Sequence, residues 1–94
     1  MSKSISLKVL TQEGVAVEDE AVMVRAPGGL GSFGVLHNHA PMVTTLEPGK
    51  LIWRYTDGST RTLLVGSGVF EVAKNAITLL TSSIAEPAAP PASI

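Results

Sequence analysis

The chain has 94 residues, enough for one domain, with 45% apolar residues and seven basic against eight acidic side chains. Lys3, Lys8, Arg25, Lys50, Arg54, Arg61 and Lys74 stand singly along it, so no basic patch is available for a phosphate backbone, and no nucleic-acid partner is expected. The absence of cysteine excludes a disulfide framework and a thiolate metal site, and no apolar run approaches the roughly 18 to 20 residues of a membrane span, so no direct membrane insertion is expected.

The period is two from the start. Ile5, Leu7 and Val9 alternate with Ser4, Ser6 and Lys8, a half-buried strand that ends at the turn Gln12-Glu13-Gly14. Val15 and Val17 lead to an acidic turn expected at Glu18-Asp19-Glu20. Val22 and Val24 then alternate with Ala21, Met23 and Arg25 until Pro27-Gly28-Gly29. Leu51, Trp53 and Tyr55 share one strand face, and Asp57-Gly58 suits a two-residue hairpin turn into a partner strand from Thr60 to Val65. Gly66-Ser67-Gly68 permits a bulge or tight bend, Val69 to Val72 resumes, Lys74-Asn75 turns, and Ile77 to Leu80 completes the series. Short strands at this spacing predict an all-β sandwich or barrel. The stretch from Glu86 to Ile94, with three prolines and small alanines, reads as a flexible tail, 86–94, following a domain at 1–85.

Candidate chemistry is sparse. Gly28-Gly29-Leu30-Gly31-Ser32-Phe33-Gly34 lacks the Gly-Lys-Ser/Thr ending of a nucleotide loop and no helix follows it. His37 and His39 stand two apart, yet a zinc site needs further ligands that neither cysteine nor a third histidine supplies. Ser32, Ser59, Ser67 and Thr44 lie in turn or strand contexts, none in a nucleophile elbow. No catalytic residue, cofactor or metal is therefore expected. What stands out is the segment from 28 to 49, rich in glycine and proline and carrying Phe33, Leu36, Met42 and Leu46. Such a segment on a rigid β scaffold suits contact with a partner.

The run Gly31-Ser32-Phe33-Gly34-Val35-Leu36-His37-Asn38-His39-Ala40-Pro41, continuing to Leu46-Glu47-Pro48-Gly49, resembles the signature of the epsilon subunit of F-type ATP synthases, called delta in mitochondria. Gly66-Ser67-Gly68-Val69-Phe70-Glu71-Val72, with Asn75, Ile77 and Leu79 behind it, resembles that family's Ser-Gly-Gly-Phe-x-Glu-Val strand and the turn after it. Leu7 to Thr11 and Val22 to Arg25 fit as well, so the resemblance spans about residues 4 to 85.

The resemblance implies a ten-stranded β-sandwich of two five-stranded sheets, without the two-helix hairpin that typically follows it. Inhibition of ATP hydrolysis and ATP binding, which go with that hairpin, are not carried over. It implies a non-catalytic rotor subunit that joins c-ring rotation, through the gamma subunit, to the F1 head. The implied partners are gamma and the polar loops of the c-ring, and the implied location is the cytoplasmic face of the bacterial plasma membrane. By position, the ring-facing loop comprises Gly31, Ser32, Phe33, His37, Asn38, His39, Ala40, Pro41 and Met42. His37 and Asn38 replace the family's usual Pro followed by Gly or Asn, which keeps the loop length without the fixed φ. Ser32 stands where many members carry an acid, which removes a charge from that contact. A free-standing β-sandwich adaptor is the alternative reading.

Overall fold

In the computed structural model, which describes residues 3–87, these residues form ten strands and no helix. They are β1 (Ile5–Thr11), β2 (Gly14–Ala21), β3 (Met23–Gly28), β4 (Gly31–Leu36), β5 (Met42–Leu46), β6 (Gly49–Arg54), β7 (Thr60–Val65), β8 (Gly68–Ala73), β9 (Ala76–Thr81) and β10 (Ile84–Ala85). One sheet has the order β2-β1-β9-β8-β5, the other β10-β7-β6-β3-β4. The predicted sandwich of two five-stranded sheets is what forms. All neighbours are antiparallel except β1 and β9, whose parallel pairing in the middle of the first sheet ties the chain's beginning to its end.

Alternation becomes a core because every strand turns one set of side chains inward. Ile5, Leu7 and Val9 of β1 meet Ile77 and Leu79 of β9 and Phe70 and Val72 of β8. The second sheet answers with Val24, Ala26, Val35, Leu51, Trp53, Leu63 and Val65. Trp53 is the largest fully buried side chain, which places it between the sheets. Gly68 is needed where β8 begins, since a Cβ there would overlap the Leu80 carbonyl. Lys74 and Asn75 both adopt positive φ, 52° and 60°, and so form the tight β8–β9 turn.

Several turn expectations are corrected. Glu18-Asp19-Glu20 is not a turn; it lies in β2, opposite Lys8, Leu7 and Ser6. A bulge opposite Val9 and Leu10 absorbs one residue of β2, so strand pairing overrides the local acidic composition. Asp57-Gly58 is not a two-residue hairpin either, because residues 55–59 separate β6 from β7. The Asp57 carboxylate accepts from the Ser59 amide at 2.9 Å and hydroxyl at 2.6 Å, while the Tyr55 amide donates to Ser59 O. That side-chain-closed turn widens the loop. The predicted loop from 31 to 42 is mostly strand: β4, a short connection at 37–41, and the start of β5. Gly28 to Gly31 forms a tight hairpin turn into β4, with φ of +115° at Gly31. Of the predicted tail, residues 88–94 lie outside the described residues; Glu86 pairs with Arg61 at 3.3 Å.

The two open sides of the sandwich are stopped differently. On the β4/β5 side, Phe33 meets Phe70 edge-on, with ring centroids 4.9 Å apart at 89°, and Met42 packs beside the core. On the other side Asp19 accepts from the Trp53 indole N–H at 3.1 Å and from the Tyr55 hydroxyl. Arg61 covers the Trp53 ring at 5.3 Å. A carboxylate from one sheet thus closes polar groups of the other. The Tyr55 hydroxyl above all, then the Trp53 N–H and the Glu20 amide, hold the Asp19 carboxyl below its ordinary value.

Truncating Trp53→Ala should lower the unfolding free energy by about 3 to 5 kcal/mol, a large share of a small domain's total, measured by urea titration. A depressed carboxylate contributes stability above its unfolded pKa and loses it as pH falls through the folded value. The stability gap between the protein and Asp19→Asn should therefore be widest near neutral pH and close below about pH 4, read from paired urea midpoints.

Candidate binding surfaces

The residues singled out from the sequence do not form one cluster. Gly31 and Ser32 sit at the hairpin end of β4, and His37 to Pro41 follow its far end, about 14 Å away along the strand. Period two divides them further. Phe33 and Val35 turn inward, while Ser32, Gly34 and Leu36 face out. Phe33 and Met42 therefore help close the core and are not simple contact residues. Ser32 is exposed, and its hydroxyl accepts from Nη1 of Arg25 on neighbouring β3 at 3.2 Å.

The 37–41 connection carries the chain from the edge of one sheet to the edge of the other, and it is stapled. Asn38 adopts φ +67°, its amide donates to Asn75 Oδ1 at 2.6 Å, and Asn75 Nδ2 donates back to Asn38 Oδ1 at 3.2 Å. The Asn75 carbonyl also accepts from the Ser6 amide at 2.9 Å. Two asparagines tolerant of left-handed backbone thus lock the connection onto the β8–β9 turn and the start of β1. The role of Asn75 was missed by sequence reasoning, which saw only a turn residue 37 positions away.

His39 is held locally. Its amide donates to Leu36 O at 3.1 Å, and its Nδ1 lies 2.7 Å from the Ala40 carbonyl, which can only accept, so Nδ1 carries the proton. His37 is half-buried beside Lys3, Val22 and Leu36. Among the described residues no group of three or more His, Cys, Asp or Glu is placed to hold a metal ion. The Ser59 hydroxyl is engaged by Asp57 in the β6–β7 turn.

A second surface was not anticipated. On the outer face of the first sheet, the register sets Val15 beside Leu10, Leu10 beside Leu80, and Leu80 beside Val69. Val15, Leu80 and Val69 are 54%, 52% and 44% exposed, so four adjacent strands present one apolar stripe, about 14 Å across. The β2 bulge is what turns Val15 outward next to Leu10. The signal was present in consecutive apolar pairs such as Leu79-Leu80 and Val9-Leu10, where a half-buried strand would place a polar residue. The neighbouring row is ordinary, with Lys8 and Glu18 paired at 3.6 Å.

These features define a two-sheet β-sandwich domain with an apolar outer stripe and a stapled connection at one edge. Residues 4–87 match the family described as the ATP synthase, Delta/Epsilon chain, beta-sandwich domain. The ATP synthase epsilon chain of Desulfosudis oleivorans is 43% identical over 83 residues, covering 88% of this chain and 62% of that protein. That of Rickettsia typhi is 37% identical over 86 residues, covering 88% of this chain and 77% of that protein. A chain in the cryo-EM structure of the Euglena gracilis mitochondrial ATP synthase, OSCP/F1/c-ring, superposes with a TM-score of 0.83 at 21% identity, over 90% of this chain and 54% of that one. This chain belongs to the ATP synthase delta/epsilon β-sandwich family. It spans somewhat under two thirds of the length of several curated relatives it matches, among them the Desulfosudis protein.

Asn75→Gly keeps the left-handed turn but removes both side-chain bonds to Asn38. The Asn38 amide should then exchange about tenfold faster, with a loss of overall stability near 1 kcal/mol, measured by hydrogen exchange and urea unfolding.

Proposed function

We propose that this chain is the non-catalytic rotor element of an F-type ATP synthase central stalk, joining c-ring rotation through the gamma subunit to the F1 head. It would work as a peripheral part of F1 at the cytoplasmic face of the bacterial plasma membrane. The apolar stripe on the first sheet carries this reading. Scattered exposed apolar side chains are ordinary, but Val15, Leu10, Leu80 and Val69 are contiguous across four strands, which supports a surface covered by another protein. Gamma is the partner assigned to that stripe.

The c-ring's polar loops are assigned to the β4/β5 side, where Gly31, Ser32 and the 37–41 connection are exposed or half-exposed. The two assignments suit the mechanical task. A coupling element must pass torque between two partners without deforming, and a sandwich sealed at both open sides is stiff for its size. The staple between Asn38 and Asn75 extends that stiffness into the connection, offsetting the absence of a proline at position 37. Ser32 offers the ring a hydroxyl in place of a charge.

Leu80→Glu should weaken binding to purified gamma at least tenfold while changing the unfolding free energy by less than about 0.5 kcal/mol, because the side chain is half exposed in the free domain. Calorimetric titration of gamma into the protein and the variant measures the first, urea unfolding the second. Undiminished binding by a stable Leu80→Glu variant would remove the stripe from the gamma interface.

A further inference from the structure

Three of the four sheet edges are blunted by their own sequence. β2 carries Glu18, Asp19 and Glu20 together with a bulge. β5 has five residues, set between Pro41 and Pro48. β10 has two, followed by Glu86 and Pro87. Charge, bulges, shortness and proline are the devices by which proteins keep strand edges from pairing with other chains. β4 has none of them. It runs six residues, and from Gly28 to Asn38 there is no lysine, arginine, aspartate, glutamate or proline.

The backbone groups that face outward on β4 follow from its partner. Pro27 stands opposite Ser32, has no N–H, and turns its carbonyl to the Glu47 amide at 3.0 Å. Pro27 and Ser32 are therefore a non-hydrogen-bonded pair, and by alternation Phe33 and Val35 exchange bonds with Ala26 and Val24. That leaves the N–H and C=O groups of Ser32, Gly34 and Leu36 directed at the open edge, and among the described residues only the Leu36 carbonyl is engaged, by the His39 amide. Gly34, at the centre, has no side chain to hinder approach. Leu30, at the tip of the turn, is fully exposed, and Leu36 is 62% exposed.

We propose that β4 is a self-complementary docking edge, through which two copies of this chain pair β4 to β4 antiparallel and join their second sheets into one ten-stranded sheet. The register centred on Phe33 sets Ser32 opposite the second copy's Gly34, where each can exchange both backbone bonds, and brings Leu30 to the second copy's Leu36 at both ends. A second copy is the fitting occupant because β4 itself carries no charged side chain to repel its own copy; the nearest charge, the Arg25 guanidinium, stands on β3 behind the edge and is held by the Ser32 hydroxyl at 3.2 Å. The same operation at β2 would set carboxylates against carboxylates. Ser32, Gly34 and Leu36, whose backbone groups face the edge, are all exposed. This pairing does not rest on the rotor assignment, but it uses the side given there to the c-ring, so paired and ring-docked states exclude each other. Six paired residues make a small interface, and a weak monomer–dimer equilibrium follows.

Sedimentation equilibrium of the 94-residue chain over roughly 10 µM to 1 mM should show the average mass rising towards that of a dimer. Over the same range, the Ser32 and Gly34 amides should become about tenfold slower to exchange, while those of Phe33 and Val35, already bonded to β3, stay unchanged. Leu36→Lys and Leu30→Lys each place a charge on an exposed edge position and should hold the chain monomeric with an unaltered urea midpoint. A flat mass up to 1 mM overturns the proposal. So does association that survives both lysine variants, or that is lost in Leu80→Glu, which would place the contact on the outer face of the first sheet.

Discussion

A sandwich of two small sheets is only as stable as its open sides, because water that enters between the layers meets the whole core at once. In this domain each side is stopped by groups that reach from one sheet to the other. On one side the stop is aromatic: Phe33, from an edge strand of the second sheet, stands edge-on to Phe70 in the first. On the other it is polar: Asp19, from an edge strand of the first sheet, takes hydrogen bonds from Trp53 on the second and from Tyr55 just past the end of β6. The core, the placement of the exposed surfaces and the stiffness that the proposed coupling role requires all depend on these closures.

The polar closure also settles a question of register. An inward-pointing carboxylate is tolerable at a sheet edge only where donors await it, and Trp53 N–H and Tyr55 O–H are those donors. Sliding β2 by one residue would turn Asp19 outward, leave the Trp53 N–H without that acceptor, and send Val17 to solvent. The Asp19 contact thus selects a pairing as well as stabilising one. The bulge in β2 lets the strand satisfy this inward contact and still present Val15 on the outer face beside Leu10.

Edges and faces offer different kinds of contact in this arrangement. The outer face of the first sheet holds the apolar stripe, whose neighbours along each strand are charged or polar. The uncharged β4 edge offers backbone groups instead of side chains, a different kind of contact with a different selectivity. Between the two, the Asn38–Asn75 pair binds the 37–41 connection to the first sheet, so that side moves with the body of the domain.

Much of the architecture was legible in the sequence, because a half-buried strand must alternate. Ile5-Leu7-Val9, Leu51-Trp53 and Ile77-Leu79 announce strands and their buried faces without reference to anything distant. The glycine and histidine run from 31 to 41 carried the family. What alternation cannot encode is which strand lies beside which. The parallel pairing of β1 with β9, the reach of Asp19 to Trp53 and the staple of Asn38 to Asn75 all join residues 34 or more positions apart. For the same reason an acidic triplet read as a turn became part of a strand, and a glycine-rich stretch read as a loop became an edge strand that β3 holds in place. The apolar stripe is the clearest case. Leu10 and Leu80 break the local alternation, but only the lateral register of four strands joins them with Val15 and Val69 into one surface, because hydrogen bonding between strands sets neighbours at right angles to the chain.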